Sequence, residues 1–249
     1  MHSDCFQDNL SFAADLFVTA DGDIGQHEAR ELASGDTLAP LLAAHGRANT
    51  ATDRRAIASQ WSKWAFARLI IPTVVLQCRL DRRVRFDGSP AWRFDTDSDG
   101  TPSCFVFDGS PLDDIGTGHD FASLIDHALA PLTAALCRTF GLSPRVYGSN
   151  AAMYFCWALD QLTLQGLGPA TTRAAAYALT EAPHRPDGGA NPFHAPFKAL
   201  GPGAHDGTGQ PARECRRLCC VRDLDRAWDL CANCPRAVTY ENAAEPMIG

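Results

Sequence analysis

Apolar residues recur along most of the chain with the three- and four-residue spacing that is typical of amphipathic helices. In residues 51–82 they form a stripe that includes Trp61, Trp64 and Leu69, and Pro72 is expected to kink or restart that helix. The first helical stretch is expected to break at Gly35-Asp36, giving a helix pair. The spacing predicts helices over residues 30–45, 51–82, 119–140, 150–164 and 169–180.

The pattern between the second and third of these helical stretches is different. Short apolar runs bounded by turn residues predict strands of an antiparallel meander at residues 84–86, 91–94 and 104–107. Residues 183–209 are rich in proline and glycine and predict a long connection. The order of helices, a small sheet and further helices predicts an α+β fold with a helix-rich core and a small antiparallel sheet.

Composition is that of a soluble globular protein with a substantial core: 249 residues, 45% hydrophobic and 20% charged. A formal net charge of −7 argues against binding to nucleic acid or to an anionic membrane surface. The longest apolar stretch, residues 69–76, is far shorter than the roughly 20 residues of a membrane span. The first residues lack the basic start and apolar stretch of a secretory signal, so we expect a cytoplasmic protein.

The most specific chemistry lies near the C-terminus, where four of the ten cysteines fall within residues 219–234: Cys219, Cys220, Cys231 and Cys234. Four thiolates are the donor set of a tetrahedral sulfur site, either for zinc or for an iron–sulfur cluster. Adjacent side chains point apart in strands and helices, so the vicinal pair can bind one centre only if its backbone is irregular. A two-iron cluster tolerates this more easily than zinc, because each iron takes two thiolates.

Zinc and disulfides remain alternatives on the spacing alone. Cys231 and Cys234 supply one zinc knuckle, and Cys215 with Cys219 could supply the second, which would leave Cys220 spare. Disulfides are the weakest alternative, because the other cysteines are scattered among apolar neighbours, as buried thiols are in a reducing compartment. These other cysteines are Cys5, Cys78, Cys104, Cys137 and Cys156.

Residues 212–236 are basic in an acidic protein. Six arginines against four acidic residues leave a local charge of +2, and therefore −9 for the rest of the chain. Arg216, Arg217 and Arg222 are candidates for stabilising an anionic cluster or for contacting an anionic substrate or an acidic electron donor. An arginine-rich solvated loop is the alternative interpretation.

The arrangement of a cysteine pair, ten residues, a third cysteine, two residues, a fourth cysteine and Pro235 resembles the 2Fe-2S signature of FhuF-type ferric-siderophore reductases. Looser similarities are Asn191-Pro192, Ser149-Asn150 at the start of an apolar helix, and the sequence of residues 61–64. Together they cover about residues 60–236.

The resemblance implies that Cys219, Cys220, Cys231 and Cys234 hold a 2Fe-2S cluster, which passes one electron to a ferric siderophore so that Fe(II) is released in the cytoplasm. The sequence has no nucleotide or flavin motif, so we expect an external electron donor such as a ferredoxin or a flavoprotein reductase. Peripheral association with the inner membrane is compatible with this role. A zinc-stabilised siderophore-binding or scaffold protein without redox activity is the alternative.

The chain is accordingly divided into three parts. Residues 1–50 form an N-terminal segment without an assigned role, residues 51–200 a helix-rich siderophore-binding domain, and residues 210–240 a 2Fe-2S module. No residue is predicted to be catalytic beyond the cluster ligands. Trp61, Trp64 and Trp157 are interpreted as core residues, with a ligand cleft as the alternative.

Overall fold

The computed structural model describes residues 3–19, 25–88, 91–113, 119–206 and 208–240. About half of the chain is helical, with small sheets of 2–4 strands, which confirms the predicted α+β class. The helices in these ranges are α1 (Gly35–Ala48), α2 (Arg54–Leu80), α3 (Ala122–Leu124), α4 (Ala130–Phe140), α5 (Pro144–Leu164) and α6 (Ala170–Glu181). A π-helical turn, Ile125–Leu129, joins α3 to α4.

The strands are mostly short. They are β1 (Phe17–Thr19), β2 (His27–Glu28), β3 (Trp92–Thr96), β4 (Pro102–Phe107), β5 (Phe197–Ala199), β6 (Ala204–His205), β7 (Glu214–Arg216) and β8 (Thr239–Tyr240). A continuous cluster of buried apolar side chains joins the helices to the sheet that contains β1–β4. Within the described ranges, no helix combines the length and apolar character needed to cross a membrane.

Helix α2 lies at the centre of the fold and packs along α5. It begins after Asp53, whose carboxylate accepts hydrogen bonds from the backbone N–H groups of Arg55 and Ala56. Most of its residues are buried, as expected for a helix that is surrounded by other elements. The helix continues through the buried Pro72, so the expectation of a restart there is wrong. Packing on both sides of the proline offsets the missing backbone hydrogen bond.

Helix α5 begins at Pro144 rather than at residue 150. The Ser143 hydroxyl accepts a hydrogen bond from the Arg145 N–H (3.3 Å), and proline is well suited to the first helical position. This Ser-Pro signal was present in the sequence. The earlier start places Ser149 and Asn150 inside the helix, where both side chains are buried.

The four-stranded sheet has the order β1-β4-β3-β2 and is mixed. Strands β3 and β4 form the expected antiparallel hairpin, and β1 adds to β4 in parallel, which the predicted small antiparallel sheet did not include. Strands β1 and β2 come from the N-terminal segment and are too short to leave an alternating pattern in the sequence. Residues 84–86 form no strand either, because Val84 makes only an isolated bridge with Leu112.

The turn between β3 and β4 ties the sheet to the helices. The indole N–H of Trp61, which is on α2, donates to the carbonyl oxygen of Gly100 (2.7 Å). Gly100 has a φ of +78°, and a Cβ added there would lie 2.3 Å from the carbonyl oxygen of Leu41 on α1. Glycine is therefore required at this close approach.

The C-terminal segment is anchored at the start of α2. The Asp225 carboxylate accepts hydrogen bonds from the backbone N–H groups of Thr52 (2.6 Å) and Asp53 (2.7 Å). Strand β7 pairs with β5, and β8 pairs with β6, so the cysteine segment is held between two small two-stranded sheets. These contacts bring the predicted cysteine ligands next to the first turns of α2.

Candidate metal centre

The cysteine segment runs irregularly from β7 to β8. Cys215 lies in β7, whereas Cys219 and Cys220 follow in a stretch without regular structure. Val221 then has a φ of 51°, in the left-handed region that a β-branched residue seldom adopts. A short 3-10 helix, Arg222–Leu224, follows. The backbone around the vicinal pair is therefore irregular, which is the condition for both thiols to face one centre.

Cys220 and Cys231 are neighbouring thiols, with Cys220 buried and Cys231 partly exposed. The Lys63 ammonium, which α2 contributes, donates to the Cys220 sulfur at 3.1 Å. The interaction with Cys231, together with the positive charge of Lys63, lowers the pKa of Cys220. The same interaction raises the pKa of Cys231. Because Lys63 contacts Cys220, Cys220 is the thiol of the two that loses its proton more readily, and the thiolate is the form of cysteine that binds metals.

Cys219 lies in a different environment. The Val221 N–H donates to the Cys219 sulfur (3.3 Å), and the Cys219 thiol donates to the Asp223 carboxylate (3.5 Å). Burial, with a smaller contribution from the negative charge of Asp223, raises the pKa of Cys219 to about 11. Removing the Cys219 proton therefore requires a nearby cation, which a bound metal would provide.

Cys234 lies close to several other thiols. Its backbone N–H donates to the carbonyl oxygen of Cys231 (2.9 Å), which closes a tight turn. The backbone N–H of Arg216, which follows Cys215, donates to the carbonyl oxygen of Asn233, which precedes Cys234 (3.0 Å). Cys215 is buried in β7 next to this turn, so the alternative ligand set that includes Cys215 keeps a geometric basis.

The remaining five cysteines lie outside the C-terminal cysteine segment. All ten cysteines of the chain fall within the described ranges, and all are free thiols. Burial raises the pKa of Cys78 and of Cys156 to about 12, which suits small apolar side chains packed in helices. They are therefore suitable controls for experiments on the thiols near the C-terminus.

Buried polar side chains connect this segment to α2 and α5. Arg216 is only 1% exposed and donates from Nη2 to the Asn150 side-chain oxygen (2.7 Å). The Asn150 amide nitrogen donates in turn to the Ser59 carbonyl oxygen (3.2 Å), and the Ser59 hydroxyl donates to the Cys220 carbonyl oxygen. The position of Cys220 is thus fixed by a chain of hydrogen bonds that begins on α5.

Sequence analysis did not assign Lys63, Ser59 or Asn150 to this centre. The available signal was their polarity within otherwise apolar helices, because a buried polar group must find a partner. Of the candidate arginines, Arg216 is buried in the network just described, whereas Arg217 is exposed. Arg222 is partly buried, and its Nε atom has no hydrogen-bond partner in the described part of the chain.

A cavity of about 360 Å³ lies beside Cys231 and reaches the same network. Trp64 and Trp157 line it, which supports the ligand-cleft interpretation for these two residues, whereas Trp61 is fully buried in the core. The lining combines aromatic side chains with two cationic ones: Phe12, Trp64, Tyr154, Trp157, Lys63 and Arg216.

Within the ranges that the structure describes, no group of three or more cysteine, histidine, aspartate or glutamate side chains is close enough together to hold a metal ion. The donor chemistry nevertheless fits a sulfur-bound metal. The Lys63 ammonium donates to the Cys220 sulfur, an N–H group already points at the Cys219 sulfur, and Cys231 and Cys234 share a tight turn. A thiolate next to an ammonium and an aromatic cavity can bind a metal and present it to a bound ligand.

No protein-family model matches the chain, and no similar curated protein was found.

Proposed function

We propose that this chain is a ferric-siderophore reductase that releases Fe(II) in the cytoplasm. The observation that carries the proposal is the hydrogen bond from the Lys63 ammonium to the Cys220 sulfur (3.1 Å), which lies next to a cavity with aromatic and cationic walls. Lys63 and Cys231 belong both to the thiol group and to the cavity lining. A ligand in that cavity would therefore lie against the sulfur centre, as electron transfer requires.

A 2Fe-2S cluster on Cys219, Cys220, Cys231 and Cys234 would supply single electrons at this position. The other residues of the chain bind and orient. Lys63 offsets the negative charge of the thiolates, and the Asn150–Arg216 hydrogen bond holds the segment that carries Cys220.

The chemistry of iron makes one electron sufficient. Siderophore oxygens bind Fe(III) far more strongly than the larger and less charged Fe(II), so reduction alone weakens the complex. In each turnover one electron converts chelated Fe(III) to Fe(II), and the chelator is released unchanged. The electron comes from an external one-electron donor such as a ferredoxin or a flavoprotein reductase. The exposed Arg217, close to Cys219 in the chain, gives an acidic electron-donor protein a favourable contact surface. The reaction would take place at the cytoplasmic face of the inner membrane.

The test is to purify the protein anaerobically and to measure iron, acid-labile sulfide, visible absorbance and the EPR spectrum after reduction. We expect two irons and two sulfides per chain. Serine at Cys219, Cys220, Cys231 or Cys234 should bleach or shift these spectra, whereas Cys137→Ser should leave them unchanged. Protein without labile sulfide, or tail variants that produce Fe(II) from ferric siderophores as fast as wild type, would overturn the proposal.

A zinc-stabilised binding protein without redox activity is the second candidate. The position of Cys215 in β7, beside the turn that contains Cys234, favours it, because Cys215 could complete a second knuckle with Cys219. This candidate predicts a colourless protein with one zinc per chain, and loss of zinc in Cys215→Ser but not in Cys220→Ser. The same metal analysis therefore separates the two candidates.

A further inference from the structure

The cavity beside Cys231 has a lining that selects for one chemical class of ligand. We propose that it binds a single aryl arm of an anionic iron chelate, a catecholate or phenolate ring, in preference to a hydroxamate arm. The inference deepens the proposed function and rests on it in one respect: that the ligand is an iron chelate. Three properties of the cavity carry it: its aromatic wall, its charge and its size.

The aromatic wall is more exposed than a core requires. Trp64 is 53% exposed, and the guanidinium of Arg68 lies 5.4 Å from the centre of its ring. Trp157 packs against Phe12 at a ring separation of 6.2 Å, and Tyr154 completes the wall. Flat aromatic surfaces of this kind favour a planar aryl ring, which can stack against them or contact them edge-on. A hydroxamate group has no ring and cannot make these contacts.

The charge of the lining is positive. Lys63 and Arg216 both line the cavity, and the lining contains no aspartate or glutamate. In the described part of the chain, neither cation forms an ion pair with a carboxylate, and the buried Nε of Arg216 has no hydrogen-bond partner. Catecholate oxygens keep a net negative charge on the ferric complex, whereas a ferric tris-hydroxamate is neutral. Lys63 already donates to the Cys220 sulfur (3.1 Å), so the guanidinium of Arg216 is the cation that favours the aryl chelate.

The size of the cavity limits what enters. Its volume of about 360 Å³ is at the lower end of small-molecule sites, which span roughly 300–1,000 Å³. A hexadentate chelate with its three arms and linker is larger than that, but one ring with its two oxygens fits. Since Cys231 and Asn233 also line the cavity, an arm bound there brings the chelated metal towards the cysteine segment.

The experiment uses the purified holoprotein and gallium(III) complexes, which have the shape and charge of the ferric complexes but accept no electron. Isothermal titration calorimetry compares the Ga(III) complex of a tris-catecholate with that of a tris-hydroxamate. We expect the catecholate complex to bind at least about tenfold more tightly. Trp64→Leu changes an exposed residue and should remove most of that preference. Tyr240→Leu, at an exposed tyrosine that does not line the cavity, should leave it unchanged.

Trp157→Leu and Lys63→Gln provide second variants, each checked for folding by circular dichroism and for the cluster by visible absorbance. Equal affinity for the two gallium complexes, or catecholate binding that is unaffected in Trp64→Leu, would overturn the inference. Reduction of the ferric complexes is measured separately. If both are reduced without a binding preference, only the inference fails. If the gallium catecholate binds through Trp64 but no Fe(II) is formed, the proposed function fails and the ligand site stands.

Discussion

Replacing Asn150 with alanine removes the residue that joins α2, α5 and the cysteine segment. Its side-chain oxygen accepts from buried Arg216 at 2.7 Å, a hydrogen bond to a charged group that contributes about 1.5–3 kcal/mol. Its amide nitrogen lies 3.1–3.2 Å from three acceptors on Ser59 and Ser62. Because an amide has two donor hydrogens, two of these contacts count, at about 0.5–1.5 kcal/mol each. Asn150→Ala should therefore lower the free energy of unfolding by about 2.5–6 kcal/mol.

The assay is urea unfolding followed by far-ultraviolet circular dichroism. Asn9→Ala is the matched control, because the exposed Asn9 only donates to the Gln161 side chain (3.1 Å) and should change stability by less than about 0.5 kcal/mol. A double-mutant cycle with Arg216→Leu isolates the interaction between Asn150 and Arg216, and we expect a coupling free energy of about 1.5–3 kcal/mol. The reasoning is refuted if Asn150→Ala costs less than about 1 kcal/mol, or if the two changes are additive.

Three further predictions concern stability. Gly100→Ala should lower the free energy of unfolding by at least about 2 kcal/mol more than Gly141→Ala. Both glycines have φ near +75°, but only at Gly100 would the new Cβ meet a backbone carbonyl. Tyr147→Phe should stabilise the protein by about 1 kcal/mol, because the buried hydroxyl has no hydrogen-bond partner in the described ranges. Asp225→Asn should destabilise the protein at pH 5, and the difference from wild type should shrink as the pH falls towards 2.

The Asp225 prediction follows from the sign of its shift. Hydrogen bonds from the Asp53, Ala227 and Thr52 backbone N–H groups lower the pKa of the carboxyl to about 2. The pKa of an aspartate in an unfolded chain is near 3.9. The stabilisation by ionised Asp225 is therefore complete above about pH 4 and is lost as the pH falls through the pKa of the folded state. Unfolding curves at several pH values measure it. A stability difference between Asp225→Asn and wild type that stays constant between pH 5 and pH 2 would contradict this prediction. The glycine prediction fails if Gly100→Ala and Gly141→Ala lower the free energy of unfolding equally. The tyrosine prediction fails if Tyr147→Phe destabilises the protein.

Much of the helical architecture could be predicted because its pattern is local. Helix α2 lies within its predicted range of 51–82, and α6 begins and ends within one residue of its predicted bounds of 169–180. Strand β1 could not be predicted, because three residues show no alternation and its partner β4 lies more than 80 residues further on. A short strand is formed by its neighbours rather than by its own preference.

The sequence by itself determined the α+β class and the presence of four thiols in one short segment, because spacing and periodicity are properties of neighbouring residues. Only the tertiary structure decided what surrounds those thiols. Lys63 lies 157 residues before Cys220 in the chain, and Asn150 lies 66 residues before Arg216. Burial and charge at the site depend on the packing of α2 and α5 against the cysteine segment, and no local pattern specifies contacts at such separations.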